Sequence, residues 1–143
     1  MAGTLEEILQ LVMEASVGEL MNHIKNLSWN VANELQSEAI EELSKTTSEN
    51  ISKLIMPLQK DCWENAALVL SGFSDSLLEQ VFMDLLTWLQ DLSWPGSLIV
   101  MKRLAQMNKE AVEEKIQLAI SQAITENEEE WKDNLEMLLE KLK

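Results

Sequence analysis

Apolar residues recur at helical spacing along most of this chain, and the stripes they form predict about eight helices. The clearest stripe follows a Ser76 cap and runs to about Leu92. At ~100° per residue, Leu77, Leu78, Val81, Phe82, Leu85, Leu86, Trp88, Leu89 and Leu92 fill one half-circle, with Gln80, Asp84, Thr87, Gln90 and Asp91 opposite. So wide an apolar arc exceeds the stripe of a surface helix, and neighbours are expected to cover it from two directions. A second stripe passes through Val112, Ile116, Ala119, Ile120 and Ala123, predicting a helix over 111–124. A shorter helix is expected over 49–58, with Pro57 ending or kinking it. Residues 4–27 read as one broken helix or two short ones, because Gly18 interrupts the pattern.

Tryptophans punctuate these stripes. Trp29, Trp63 and Trp94 are spaced 34 and 31 residues apart, within the range of helical-hairpin repeats. Ser28 and Ser93 read as N-caps just before their Trp, and Asp61 with Glu64 as a capping box around Trp63. Each Trp is then expected to open a helix and close the joint between hairpins, its indole N–H reaching a carbonyl. Trp131 lies deeper in its helix, behind a cap drawn from Asn127 to Glu130, as a degenerate terminal unit would. The expected architecture is all-α, one domain over 1–143: a short right-handed α-solenoid of about four antiparallel helix pairs.

The Trp-headed helices resemble HEAT-type (armadillo-like) repeats. More narrowly, Trp88-Leu89-Gln90-Asp91-Leu92-Ser93-Trp94-Pro95-Gly96 is similar to a motif in small bacterial proteins of unknown function with HEAT-like helices. Trp63-Glu64-Asn65-Ala66-Ala67 and Asn134-Leu135 also look like that family. The resemblance covers residues 50–143, and the first third only through the repeat. It implies a fold and a bacterial source and brings no catalytic residues.

Composition narrows the function classes. With 25 acidic and 11 basic side chains the net charge is −14, which disfavours nucleic acid, whose phosphates need clustered Lys and Arg. Each half of the chain carries −7, so the charge belongs to the whole surface and not to a tail. Four Gly, two Pro and no Tyr fit a helical chain poor in tight turns. No apolar stretch approaches the ~20 residues of a membrane helix, and Met1 to Glu7 lack a leader's basic and apolar regions. A lone Cys62 beside Trp63 is expected to be buried in a reducing, cytoplasmic setting.

Enzyme chemistry finds little material. His23 is the only histidine, so a triad, or a Cys62–His23 nucleophile pair, depends on it. Glu19 and His23 share a helical face at i, i+4, but a di-iron site needs a second such element. The acidic runs at 110–114 and 126–130 lack the central Gly of a calcium loop; Glu128, Glu129 and Glu130 suit a first helical turn, where negative charge favours the dipole. Met13, Met21, Met56 and Met101 fall on apolar stripes as gap fillers. No metal or cofactor is expected.

The inner row of a solenoid usually meets the ligand. Offsets from each Trp nominate Glu34, Glu38, Leu68, Ser71, Ile99, Lys102 and Arg103, with Trp88 added from the edge of its stripe. Leu68 and Ile99 would face outward unless a neighbouring repeat covers them, and Arg103 would anchor a carboxylate or pair with a nearby acidic residue. The favoured function is a non-enzymatic protein-interaction module, in one version an immunity-type protein masking a basic toxin, without nucleic acid or membrane. A homodimer face is another use of an exposed apolar row. The alternative is a small hydrolase or metal-dependent enzyme using His23 or Cys62 with carboxylates.

Overall fold

The computed structural model describes residues 4–142, leaving aside the side chains of residues 6 and 9–16. Met13 therefore lies outside the described side chains. The helices are α1 (Leu5–Lys25), α2 (Asn33–Leu43), α3 (Trp63–Ser71), α4 (Asp75–Gln80), α5 (Phe82–Thr87), α6 (Ser97–Leu104), α7 (Lys109–Thr125) and α8 (Glu129–Lys141). Short 3₁₀ turns occupy Ile51–Leu54, Lys60–Cys62 and Trp88–Gln90, and the described residues contain no strand. The fold is all-α.

Local chemistry explains the boundaries, and several differ from expectation. α1 is continuous: the Thr4 hydroxyl accepts the Glu7 amide and the Glu7 carboxylate accepts the Thr4 amide, a capping box strong enough to start a helix that then runs through Gly18. Ser74, not Ser76, caps α4 by accepting the Leu77 amide at 3.3 Å. The long helix expected to run to Leu92 bends at Val81 (φ −121°, ψ 20°). Its wide apolar arc cannot be covered along one straight rod; after the bend α5 packs on α7, and the Trp88–Gln90 turn packs on α6 and α8. The helix expected over 49–58 shrinks to the turn Ile51–Leu54. Pro57 disfavours helix at the residue before it, and Met56 adopts φ 44°.

Asn127 ends α7 instead of opening α8. At φ 59° it lets the Asn127 amide donate to Ile124 O and the Glu128 amide to Ala123 O, the paired bonds of a Schellman stop. Glu129 and Glu130 then occupy the first turn of α8.

One cluster of buried apolar side chains runs from Ile24 to Leu142. The stripe positions Leu78, Phe82, Leu85, Leu86 and Leu89 are buried in it, as are Val112, Ile116, Ala119 and Ala123 of α7. α1 packs on α2, α2 on α3, α3 on α6 and α7 on α8.

The tryptophans are not equivalent. Only Trp63 opens a helix; Trp29 precedes α2 by four residues and is 52% exposed, and Trp94 precedes α6 by three. The expected capping box is absent as well. The Asp61 carboxylate turns back to accept the Ser28 hydroxyl at 2.8 Å and the Asn30 amide at 2.9 Å, and Glu64 accepts the Gly96 amide at 3.1 Å. Ser93 caps nothing: its amide and hydroxyl both donate to Asp91 Oδ1.

Candidate protein-docking face

The nonapeptide Trp88–Gly96 is a lock on the fold. The Trp88 indole donates to Pro95 O at 2.9 Å, and the Ser97 hydroxyl donates to Trp88 O and Asp91 O. Trp63 stands edge-on to both Trp88 and Trp94, with ring centres 6.0 and 5.6 Å away. The Lys60 ammonium lies 5.3 Å from the Trp63 ring and 5.4 Å from Trp94, a cation–π arrangement. Bonds from Ser93 hold the Asp91 carboxyl below the usual aspartate range, and Lys60 helps. Two more side chains tie distant ends: the Trp131 indole donates to Leu86 O and Asn134 to Leu89 O. Such bonds anchor α8 to the carbonyls the Trp88 turn leaves open.

These contacts correct the sequence reading of the site. Trp88 is fully buried and offers nothing to a partner. Arg103 is held by its own chain: Nε donates to Ser71 O at 3.0 Å, and its terminal nitrogen donates to Phe73 O and pairs with Asp75. It closes the turn between α3 and α4, and Ser71, partly buried, serves that clamp through its carbonyl. Ile99 is half-buried against the core. Glu34, Glu38, Leu68 and Lys102 are exposed, and Lys102 borders a hollow built largely from apolar side chains.

That hollow, about 450 Å³, lies between α6 and α8 and is lined by Leu98, Met101 and Lys102 on one wall and Met137 and Lys141 on the other, with Leu92 contributing. Leu98 is 65% exposed and Met137 is also exposed. Each wall repeats one device, an apolar side chain followed four residues later by lysine: Leu98 with Lys102, Met137 with Lys141. On a helix those partners stand one turn apart on the same face, so the spacing alone could have found them.

The reactive candidates separate. His23 borders a hollow with Glu19 and Asn50, whereas Cys62 lines another with Met21 and Met56. Burial, then the Asp61 charge, pushes the Cys62 thiol up to about 11, so it is a neutral thiol at neutral pH. The Asp61 carboxyl sits below its usual range because Ser28 and then Asn30 donate to it. Among the described residues, no three His, Cys, Asp or Glu side chains gather as a metal site would need. No helix among them is long and apolar enough to cross a membrane.

Residues 64–142, over half the chain, match the family described as Domain of unknown function (DUF5071). The chain belongs to the DUF5071 family. The matched segment contains the Trp88–Gly96 lock, the Arg103 clamp and both walls of the α6–α8 hollow. Comparisons with curated proteins and with solved structures find no match.

Proposed function

We propose that the chain is a non-enzymatic protein-docking module, built as a short right-handed HEAT-like solenoid, whose α6–α8 hollow receives the apolar face of a partner helix. The observation that carries this reading is the pair of walls in which exposed Leu98 and Met137 each have a lysine one turn away. Apolar side chains supply contact area in such a groove, and flanking charges set register and partner choice. Carboxylates on the partner would meet Lys102 and Lys141. A quantitative pull-down from the source cells tests it: Leu98→Asp with Met137→Asp should lose a partner that the parent protein and a Glu113→Gln control both retain. Equal retention by all three proteins, or no saturable partner for any, overturns the proposal.

A second reading, the immunity-type masking of a basic toxin, draws on the net charge of −14 and on the exposed carboxylates Glu34, Glu38, Glu41 and Glu42 of α2. Complementary charge of this kind speeds encounter and weakens with salt. Glu34→Lys with Glu38→Lys should then slow association at least tenfold at low ionic strength and much less at high. A toxin-like neighbouring gene would supply the partner to measure. The cytoplasmic assignment rests on the single buried Cys62 in a chain with no second cysteine.

A further inference from the structure

A second hollow, of about 330 Å³, opens between the C-terminal end of α1 and the segment 52–59. Its apolar lining comes from Met21, Ile24, Ile55, Met56 and Cys62, and its volume falls at the low end of the ~300–1,000 Å³ typical of small-ligand sites. The hollow lies wholly outside residues 64–142, so it is separate from the docking face and from the family segment.

Its charge runs against the rest of the chain. Residues 1–71 hold only four lysines, Lys25, Lys45, Lys53 and Lys60, against 11 acidic residues. Lys45 pairs with Glu42, and Lys60 lies over two indoles. The other two, Lys25 and Lys53, both line this hollow, and among the described residues no Asp or Glu does. Among the described residues neither has a carboxylate within 4.0 Å. An apolar cleft bearing these two ammonium groups in an acidic surface is complementary to a molecule with an apolar body and one anionic head.

The wall of the hollow is also held in a costly shape. Met56 sits at φ 44°, a left-handed region that a residue with a side chain adopts only at a cost. The next residue, Pro57, is buried, and its carbonyl accepts the Trp63 indole at 2.7 Å. Leu58 follows, 99% exposed, although it lines the same hollow. Strain of this kind persists where surrounding structure fixes it, often at ligand clamps.

We infer that this hollow binds a free carboxylate-headed amphiphile, a medium-chain fatty acid, with its tail against the Met21, Ile24 and Ile55 lining and its carboxylate at Lys25 and Lys53. Calorimetric titration of the full-length protein with decanoate below its micelle concentration tests this, with decanol as the same tail without charge and butyrate as the same head without the tail. Decanoate should bind one per chain, at least tenfold tighter than decanol, and butyrate should not bind measurably. Lys25→Gln with Lys53→Gln, both exposed positions, should bring decanoate down to the decanol level and leave decanol unchanged. Met21→Gln should weaken both ligands, with helicity by circular dichroism confirming that each variant folds. Equal binding of decanoate and decanol, absence of saturable decanoate binding, or indifference to the two lysine substitutions would overturn the inference. So would co-sedimentation with phosphatidylglycerol vesicles in place of stoichiometric decanoate binding, which would assign the lysines to a membrane surface.

Discussion

At Gly96 a single missing side chain holds several elements together. The residue has φ +83°, and a Cβ there would lie 2.8 Å from both Ala67 Cβ and Trp63 O and 2.9 Å from the Trp88 ring. Two of those neighbours, a backbone oxygen and a buried indole, cannot step aside cheaply. Gly96→Ala should therefore cost about 2–4 kcal/mol, from the left-handed backbone and from overpacking together. A shift in urea midpoint worth under ~0.5 kcal/mol, typical of an unconstrained surface site, would show that the α3–α6 joint is looser than the structure implies. Asp61 makes a different kind of tie, through charge. Its carboxyl is held below the usual range by Ser28 and Asn30, so its contribution is complete above the unfolded value of about 3.9 and disappears as pH falls through the depressed one. Asp61→Asn should accordingly be less stable than the parent at pH 7, with a smaller deficit at pH 3, where the unfolded chain has largely taken up the proton. Urea melts at both pH values decide it, and a deficit independent of pH would locate the effect in packing.

Among the elements, α1 shows how composition misleads when no neighbour is considered. Gly18 suggests a break, yet the capping box at Thr4 starts a helix that passes straight through it, and a Cβ added at Gly18 meets nothing within 4 Å. Gly18→Ala should thus stabilise the protein by about 0.5–1 kcal/mol, a rise in melting temperature measurable by circular dichroism; a fall would mean the exposed α1 face meets a side chain after all. The stripes of α5 and α7 were readable from periodicity because their apolar residues have one core to face. Caps were not, because an Asp or Ser has local and distant partners of similar strength: Asp61 chose Ser28, 33 residues away, over its own helix. The Trp-offset row loses register between α3 and α6. Counting from Trp63 starts at the first residue of α3, but counting from Trp94 starts three residues before α6. Three residues turn a helix by about 300°, so the five-residue offset pairs Ile99 with Leu68, whereas Lys102 holds the sixth position of α6, as Leu68 does of α3. Loop length of that kind leaves no mark in hydrophobic periodicity. Trp88 and Arg103 misled for a related reason: large amphipathic side chains serve partners and joints equally well, and only the packed neighbours distinguish the two uses.

For the whole molecule the deciding quantity is the net charge of −14, set against the few pairs that offset it. Among the described residues the ion pairs are Lys45–Glu42, Arg103–Asp75 and the two that Lys132 makes with Asp133 and Glu136. Apart from the Arg103 clamp, whose guanidinium is largely covered although Asp75 is exposed, they join partly or fully exposed side chains, and such pairs contribute ~0–1 kcal/mol each. Carboxylates without a partner repel one another across the surface, and that repulsion burdens the compact state more than the expanded chain. Added salt screens both terms, with a Debye length falling from ~30 Å at 0.01 M to ~8 Å at 0.15 M. Repulsion is the larger and longer-ranged of the two here, so raising sodium chloride from 0.01 to 0.15 M should raise the melting temperature by several degrees. The Arg103 clamp should survive the change, because its two backbone carbonyl bonds do not depend on unscreened charge. Arg103→Gln would then lower the melting temperature by a similar amount at both salt concentrations. A melting temperature that falls on adding salt would show instead that attractive pairs govern the surface, and would place Arg103–Asp75 first among them.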